Sequence, residues 1–186
     1  MKRTALADHP CSIARTLDVA GEWWSPLILR DVTYGVRRFA EIQADLGISA
    51  NVLADRLESL VREGLLETHV YQQRPERREY VLTEKGADLA PALIALMQWG
   101  DRWKWKGGVG PVQVLHEDCR HEVRVELRCE HCDREVPVHG LRARARRGVT
   151  TAPTGDVPGR LSAARLISSP DGVRLAEGPA RGSPSS

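Results

Sequence analysis

The chain has 186 residues, of which 41% are hydrophobic and 28% charged, and its formal net charge at pH 7 is +2. This length supports one folded domain with an appendage. No stretch approaches the roughly 20 apolar residues that cross a bilayer, and the start lacks a secretory apolar run, so we expect a cytoplasmic protein with no membrane partner.

The charge is distributed unevenly along the chain. Residues 1–140 contain 19 Lys and Arg against 22 Asp and Glu, whereas residues 141–186 contain 8 against 3. The first part is therefore slightly acidic. Attraction of this part to a nucleic acid requires a local arginine cluster, because the field of the whole molecule does not favour it.

Three short amphipathic segments lie between residues 26 and 64. In the first, Ser25 is predicted as a helix N-cap because it precedes a proline, and Gly35 is predicted to end the helix. In the second, apolar residues recur at three- and four-residue intervals from about Arg38. This spacing predicts a second helix with one buried face, and Gly47 is predicted to end it.

The third segment is predicted as a recognition helix. Ser49 can cap it, and a leucine stripe predicts a buried side that continues to Gly64. In helix-turn-helix proteins the early residues of the second helix reach the edges of bases. On residue types alone, the polar side is better explained as the solvated face of a small helical domain. The residues of this segment predicted to contact DNA are Ser49, Asn51, Val52, Asp55, Arg56 and Ser59.

Two β-rich runs follow at residues 66–72 and 78–82, with a proline between them, and this pattern predicts a hairpin. Arginines at the tip of a hairpin beside a recognition helix are suited to contact phosphates or the minor groove. The hairpin therefore favours a winged helix-turn-helix over the solvated alternative. The hairpin arginines predicted to contact DNA are Arg74, Arg77 and Arg78.

A longer apolar helix is predicted next, with Thr83 as its cap. Trp99 and Trp103 lie one turn apart in it, and a domain of this size lacks the core to bury all of its apolar side chains. We therefore expect a homodimer, and burial in the core of the same domain is the alternative. The expected interface residues on this helix and on the first helix of the chain are Ile13, Leu17, Leu93, Leu96, Trp99 and Trp103.

Residues 11–105 resemble the HxlR family of winged helix-turn-helix regulators, which are relatives of the MarR group. The resemblance rests on Cys11-Ser-Ile-Ala-Arg15, Gly21-Glu-Trp-Trp-Ser-Pro-Leu-Ile-Leu-Arg30, Arg38-Phe39, Ile48-Ser-Ala-Asn-Val-Leu53, Arg56-Leu57, Gly64-Leu65 and Tyr80-Val-Leu-Thr-Glu-Lys-Gly86. It implies a mainly α domain with a small β wing that binds double-stranded operator DNA as a homodimer.

Two positions within the resemblance bear on DNA contact. Arg38 belongs to the shared pattern and is a further candidate for DNA binding. Glu22-Trp23 stands where the family commonly has Gly-Lys before its tryptophan, so this chain lacks one positive charge that the family has near the expected DNA face.

Two spaced ligand pairs follow a glycine-rich hinge at residues 106–111. The pairs are His116-x2-Cys119 and Cys129-x2-Cys132, and the alternating run between them predicts two knuckles that bracket a small hairpin. Three thiolates and one imidazole form a Cys3His set suited to a structural zinc ion. Metal binding would supply folding energy to residues 112–140, which are too few to form a core.

Several alternatives to this zinc site are open. Three other histidines can replace His116 as the nitrogen ligand, namely His121, His131 and His139. The segment can instead be a hairpin without metal, packed on the winged helix with reduced thiols. A redox-active dithiol at Cys129 and Cys132 is the third alternative.

Cys11 lies just before the predicted first helix, and a helix N-terminus favours the thiolate form. The family resemblance makes Cys11 a candidate redox sensor, since some members use a cysteine at this position. The alternative is a small buried residue at the dimer contact.

Residues 141–186 are rich in Pro, Gly, Ser and Arg and are predicted to form a disordered basic tail. An enzyme is not expected, because the chain lacks a glycine-rich phosphate loop, Gly-x-Ser-x-Gly and His-Glu-x-x-His. The resulting prediction is a sequence-specific transcriptional regulator that responds to an effector or to thiol oxidation. Two alternatives are a winged helix that binds a protein partner and a thiol oxidoreductase that uses Cys129 and Cys132.

Overall fold

A computed structural model describes residues 6–9 and 11–142 of the chain. The described residues fall into two compact units, one that ends at Val125 and one that begins at Glu126. Nearly all of the predicted basic tail lies outside the described residues. None of the helices in the described ranges is long and apolar enough to span a membrane.

The described part of the first unit is mainly helical with one two-stranded antiparallel sheet. This architecture confirms the predicted α fold with a small β wing. The helices are α1 Ser12–Ala20, α2 Trp24–Thr33, α3 Phe39–Leu46, α4 Ala50–Arg62, α5 Glu84–Ala87 and α6 Ala90–Lys104, and the strands are β1 Leu66–Gln73 and β2 Glu76–Leu82. A short 3-10 turn at Lys106–Gly108 follows α6.

The core lies between α2, α3 and α4 and is closed by the beginning of β1. The leucine stripe predicted for the third segment is buried, with Leu53, Leu57 and Leu60 at 0–1% exposure. Burying one such side chain contributes roughly 1.5–3 kcal/mol. The other buried apolar residues are Ala20, Ile28, Leu29, Val32, Ile42, Ile48, Leu65 and Leu66.

The turn between α3 and α4 has the predicted chemistry. Gly47 has a φ of 63°, a left-handed conformation that a residue with a side chain adopts only at a cost, and it ends α3. Ser49 then caps α4, because its Oγ accepts a hydrogen bond from the Val52 backbone N–H at 3.4 Å. This turn fixes the angle between the two helices of the helix-turn-helix.

The start of α2 differs from the prediction. The helix begins at Trp24, and Ser25 is a buried residue of its first turn instead of the N-cap. The Ser25 backbone N–H donates to the Glu22 carbonyl at 2.9 Å, so helical geometry is established before the proline. Pro26 still lies in the first turn, where its missing N–H leaves no intrahelical bond unmade.

The wing is the hairpin of β1 and β2, with register from Leu66 opposite Leu82 to Gln73 opposite Glu76. Each strand is longer than predicted, because the turn needs only the two residues between Gln73 and Glu76. A bulge in β1 shifts the register between Val70 and Gln72. The wing is attached to the core, since the Leu66 end of β1 is buried.

The loop before α3 lies along β2. The Tyr80 backbone N–H donates to the Arg37 carbonyl at 2.8 Å, and Arg38 forms a β-bridge with Glu79. These contacts attach the helix-turn-helix to the outer edge of the wing.

The long helix predicted after Thr83 is two helices, α5 and α6. The Thr83 Oγ1 accepts from the Gly86 N–H at 3.1 Å and donates to the Gly64 carbonyl at 2.6 Å, so its capping role applies to α5. The helix is then interrupted before Pro91, which lies in the first turn of α6. A proline inside a continuous helix would remove a hydrogen bond and clash with the preceding turn.

A glutamine side chain fixes the segment that follows α6. The Gln98 Nε2 donates to the Val123 carbonyl at 2.8 Å, and the Val125 backbone N–H donates to the Gln98 Oε1 at 3.1 Å. The amide thus acts as a strand partner for residues 123–125. In the described part of 112–142 no strand is formed, and one turn at each ligand pair replaces the small hairpin expected between them.

Candidate nucleic-acid interface

The first turns of α4 present a polar surface to solvent. Ser49, Asn51 and Asp55 are exposed, and Val52 is at the border of exposure. With a rise of about 1.5 Å per residue, α4 is about 20 Å long. Its diameter with side chains, about 10–12 Å as for any α-helix, fits the major groove, which is about 12 Å wide. Ser59, two turns later, is half-buried and accepts a hydrogen bond from Arg62.

Arg56 lies on the flank of α4 and has an intramolecular partner. Its side chain is 26% exposed, and its Nη1 lies 3.8 Å from the Glu22 Oε2. The guanidinium therefore faces the connection between α1 and α2. The sequence placed Arg56 among the DNA contacts but did not indicate this ion pair, because the two residues are 34 positions apart.

The three predicted arginines of the wing are exposed. Arg74 is in the hairpin turn, and Arg77 is near the beginning of β2. The Arg78 Nε bonds the Glu76 Oε1 at 2.8 Å, and its Nη1 donates to the Thr68 Oγ1 at 3.4 Å. Arg78 is therefore held against the strands, whereas Arg74 and Arg77 extend from the tip region.

Arg38 is held beside the wing by an aromatic ring that the sequence reasoning missed. Its guanidinium carbon lies 4.4 Å from the centre of the Tyr71 ring, and its Nη1 lies 3.6 Å from the Glu41 Oε1. Stacking of this kind orients a guanidinium while leaving its donors accessible. Tyr71 is visible in the β-rich run, but the sequence does not indicate that it contacts Arg38, which is remote along the chain.

A charged network connects α2 to α3 and was also missed. The Arg30 Nε donates to the Asp31 Oδ1 at 2.9 Å, and its Nη2 donates to the Asp45 Oδ2 at 2.7 Å. Asp31 is only 2% exposed, and its Oδ2 has no hydrogen-bond partner among the described residues. Burial raises the pKa of the Asp31 carboxyl above its ordinary range, although the neighbouring Arg30 opposes this shift.

This pKa shift predicts the pH dependence of stability. A raised pKa in the folded state means that the contribution of Asp31 is most favourable below the ordinary aspartate pKa of about 3.9 and is lost as pH rises through the raised value. Asp31→Asn cannot ionise. We therefore expect the unfolding free energy of the wild type, relative to Asp31→Asn, to fall as pH rises, measured by urea unfolding at several pH values.

A control variant distinguishes the effect of Asp31 ionisation from the effect of losing an ion pair with Arg30. Asp45→Asn removes the exposed partner of the same arginine and leaves the buried carboxyl in place. If the difference in unfolding free energy between wild type and Asp31→Asn does not change with pH, burial of the Asp31 charge does not affect stability as expected here.

Large apolar side chains are exposed on α1 and α6. Ile13, Leu17, Leu96, Trp99 and Trp103 all have at least half of their surface accessible. Leu93, predicted with them, is half-buried and packs on the core of its own domain. The exposed residues of α6 recur at intervals of three and four positions, so they occupy one face.

All four cysteines are free thiols. Cys11 is half-buried and directly precedes α1 as its N-cap residue. The Cys119 Sγ lies 3.2 Å from the His116 Nδ1. A hydrogen bond from Arg134, with a smaller contribution from Cys129, lowers the pKa of the Cys132 thiol.

The predicted metal ligands lie in pairs, His116 with Cys119 and Cys129 with Cys132. Within residues 6–9 and 11–142, no group of three or more His, Cys, Asp or Glu side chains is arranged to hold a metal ion.

Comparison with known proteins gives a consistent result. The model of the HxlR-like helix-turn-helix family matches residues 19–107. The uncharacterized HTH-type transcriptional regulator Rv3095 of Mycobacterium tuberculosis is 40% identical over 130 residues, which is 70% of this chain and 82% of the relative. YvaP of Bacillus subtilis, another uncharacterized HTH-type transcriptional regulator, is 38% identical over 48% of this chain and 83% of its own.

Two solved structures have a similar fold. PA1607, a candidate transcription factor, has a TM-score of 0.67 and 34% identity over 75% of this chain and 98% of its own. PA1374 from Pseudomonas aeruginosa, also a candidate transcription factor, has a TM-score of 0.55 and 38% identity over 81% of this chain and 100% of its own. Together with the geometry of α4 and the wing, these similarities place the chain in the HxlR-like helix-turn-helix family of transcriptional regulators.

Proposed function

We propose that this HxlR-type regulator binds operator DNA as a homodimer, with α4 in the major groove and the wing on the phosphate backbone. The observation that carries the proposal is the polar first part of α4, exposed beside a wing whose arginines are also exposed. Asn51 is suited to pair with adenine, since its amide has one donor and one acceptor in a bidentate arrangement.

The arginines around α4 have a different role from Asn51. Arg38, Arg74 and Arg77 are exposed and suited to phosphate contacts, which position a protein on DNA without reading its sequence. Because residues 1–140 are acidic overall, this local cluster has to supply the electrostatic attraction. We therefore expect binding to weaken steeply with salt.

The exposed apolar face of α6 supports a homodimer as the binding form. Leu96, Trp99 and Trp103 form one stripe, and monomeric proteins rarely expose a contiguous apolar patch of this kind. Ile13 and Leu17 of α1 add to the apolar surface of the unit. A two-fold dimer would place two copies of α4 in half-sites about 34 Å apart.

The experiment is a titration of labelled DNA from upstream of the gene of this protein, at two salt concentrations. We expect site-specific, salt-sensitive binding by the wild type. Asn51→Ala should lose about 1–3 kcal/mol of discrimination at one base pair of each half-site. Asp88→Ala, exposed and remote from α4 in sequence, is the control and should bind as the wild type does. If no fragment binds above nonspecific affinity, a winged helix that binds a protein partner becomes the better hypothesis.

We further propose Cys11 as the site at which thiol oxidation controls DNA binding. Cys11 is a free, half-buried thiol at the start of α1, the helix that carries the exposed Ile13 and Leu17. A change at Cys11 would therefore alter a helix of the proposed dimer surface. We expect the thiol oxidant diamide to weaken operator binding of the wild type but not of Cys11→Ser. Equal sensitivity of both proteins would exclude this role.

A further inference from the structure

A cavity of about 440 Å³ lies between α2, the end of α3, α6 and the chain that follows α6. Its described lining residues all fall between positions 30 and 112, so the cavity belongs to the first compact unit alone. Its volume is typical of small-molecule sites in proteins, which enclose about 300–1,000 Å³. Neither α4 nor the wing contributes to this lining, so the cavity is separate from the proposed DNA contact.

The charged side chains that line this cavity are mainly acidic. Three carboxylates, those of Asp31, Asp45 and Asp101, lie in the lining with one guanidinium, that of Arg30. Arg30 is already shared, because its Nε donates to Asp31 at 2.9 Å and its Nη2 donates to Asp45 at 2.7 Å. Asp101 is half-buried and forms no ion pair with another described residue. The excess of carboxylates favours a positively charged ligand over an anion.

One carboxylate oxygen of the lining is buried without a hydrogen bond. The Asp31 side chain is 2% exposed, and its Oδ2 has no hydrogen-bond partner among the described residues, whereas its Oδ1 accepts from Arg30. A buried acceptor without a donor is costly, and native proteins rarely contain one. An ammonium N–H at this oxygen would supply both the missing donor and a compensating charge.

Two exposed aromatic side chains, Tyr34 and Trp105, also line the cavity. In the described part of the chain neither ring is stacked by an arginine or a lysine, whereas the rings of Tyr71, Trp99 and Trp103 each have such a partner. An aromatic face attracts a cation through its quadrupole and also offers apolar surface. The two rings can therefore contact both the charge and the apolar body of a ligand.

Glycines after α6 bring the chain back to the cavity. Gly107 and Gly108 have φ values of 84° and 72°, a left-handed conformation that residues with a side chain rarely adopt. The chain turns there, and residues 111–112 lie against the cavity. Gly110 packs so closely on the Asp101 carboxyl group that a Cβ at this position would collide with it. This contact restricts the Asp101 side chain within the lining.

A neighbouring cavity of about 310 Å³ between α2 and α6 provides a comparison. The two cavities share Arg30, Tyr34 and Met97, and the Tyr34 Oη lies 3.5 Å from the Met97 Sδ. In the described lining of the smaller cavity there is no carboxylate, and Arg30 is the one charged residue. Only the larger cavity therefore combines carboxylates, a buried acceptor and aromatic rings.

We propose that the larger cavity binds a small organic cation, namely a protonated primary or secondary amine with an aromatic or other apolar body. The ammonium group would donate to the Asp31 Oδ2 and pair with Asp101, and the body would pack on Tyr34, Trp105 and Met97. A quaternary ammonium lacks the N–H that the buried oxygen requires, so the proposed ligand class is an amine.

The test compares ligands of similar shape and different charge on the full chain without DNA. The probes are phenethylamine, which is an ammonium ion at neutral pH, its uncharged analogue phenethyl alcohol, and the anion hydrocinnamate. We expect phenethylamine to bind about ten-fold more tightly than the alcohol, because it makes a charge-assisted hydrogen bond. Hydrocinnamate should not bind detectably. Isothermal titration calorimetry measures the affinities and the stoichiometry, which we expect to be one amine per chain.

Two variants test the carboxylates separately. Asp101→Asn and Asp31→Asn should each weaken the binding of phenethylamine about five-fold or more and leave the binding of phenethyl alcohol unchanged. Asp88→Asn is the matched control, because it removes an exposed carboxylate outside the cavity, and it should bind the amine as the wild type does. Circular dichroism at the helical minimum checks folding, and Asp101→Asn alone tests the site if Asp31→Asn does not fold.

Three results would overturn the proposal. The first is a wild type that binds phenethylamine no more tightly than phenethyl alcohol. The second is an unchanged affinity for the amine in each carboxylate variant that folds. The third is an equal loss of affinity in Asp88→Asn, which would assign the effect to the total charge of the chain instead of the cavity.

Discussion

Leu96→Glu is expected to convert the proposed homodimer to a monomer and to weaken operator binding by about 100-fold or more, because the gain from two linked binding events is lost. Leu96 is 64% exposed, so the glutamate disturbs no packing within one chain. In a dimer it would place a charge in the apolar contact formed by Trp99 and Trp103. Light scattering after size-exclusion chromatography measures the mass, and a DNA titration measures the affinity.

The matched control is Val109→Glu, which introduces the same charge at an apolar residue that is 68% exposed and lies beyond α6. It should remain dimeric and bind DNA as the wild type does. If Leu96→Glu stays dimeric with full affinity, the apolar face of α6 is not the dimer contact, and α1 alone becomes the surface to test.

Arg77→Glu is expected to lower the affinity for every DNA sequence by about ten-fold or more and to reduce the dependence on salt by about one phosphate contact per wing. The reason is that Arg77 extends from the tip region of the wing, where a phosphate contact carries no sequence information. Discrimination between the operator and unrelated DNA should therefore change little. Titrations at four or more salt concentrations give both the affinity and the slope.

Arg124→Glu provides the comparison for the total charge. It changes the net charge by the same amount as Arg77→Glu, but at an exposed residue outside the wing. If the two variants lose equal affinity and equal salt dependence, the effect comes from the overall field, and the wing makes no specific phosphate contact.

Much of the helix-turn-helix could be predicted from local sequence, because its determinants act over a few residues. Gly47 is predicted to end α3, Ser49 to cap α4, and the leucine stripe to be buried, and all three are confirmed. The β-rich runs predict the wing correctly, and only the turn between the strands is shorter than predicted. In each case one short-range preference agrees with the packing of the domain.

The wrong predictions concern positions where two local signals compete. Ser25 has the chemistry of an N-cap, but a hydrogen bond to Glu22 starts α2 earlier and buries the serine. Thr83 is a cap as predicted, but Pro91 requires the helix to be interrupted before α6. The periodicity of apolar residues continues across such an interruption, so it does not indicate that the one predicted helix is two helices.

The remaining differences depend on how the helices pack against one another. The burial of Asp31 against Arg30 depends on how α2 and α3 pack, and no local pattern contains that information.

If Arg56 contacts DNA as the sequence predicts, its ion pair with Glu22 makes DNA affinity depend on a residue outside the recognition helix. Before Arg56 can reach a base or phosphate, it has to exchange the Glu22 carboxylate for the DNA, so an intramolecular anion competes with the intermolecular one. Glycine at position 22, which the Gly-Lys pattern of the family implies, would remove this partner and release the guanidinium. A single substitution in the connection between α1 and α2 can therefore retune the occupancy of every operator while the residues that read the bases stay the same.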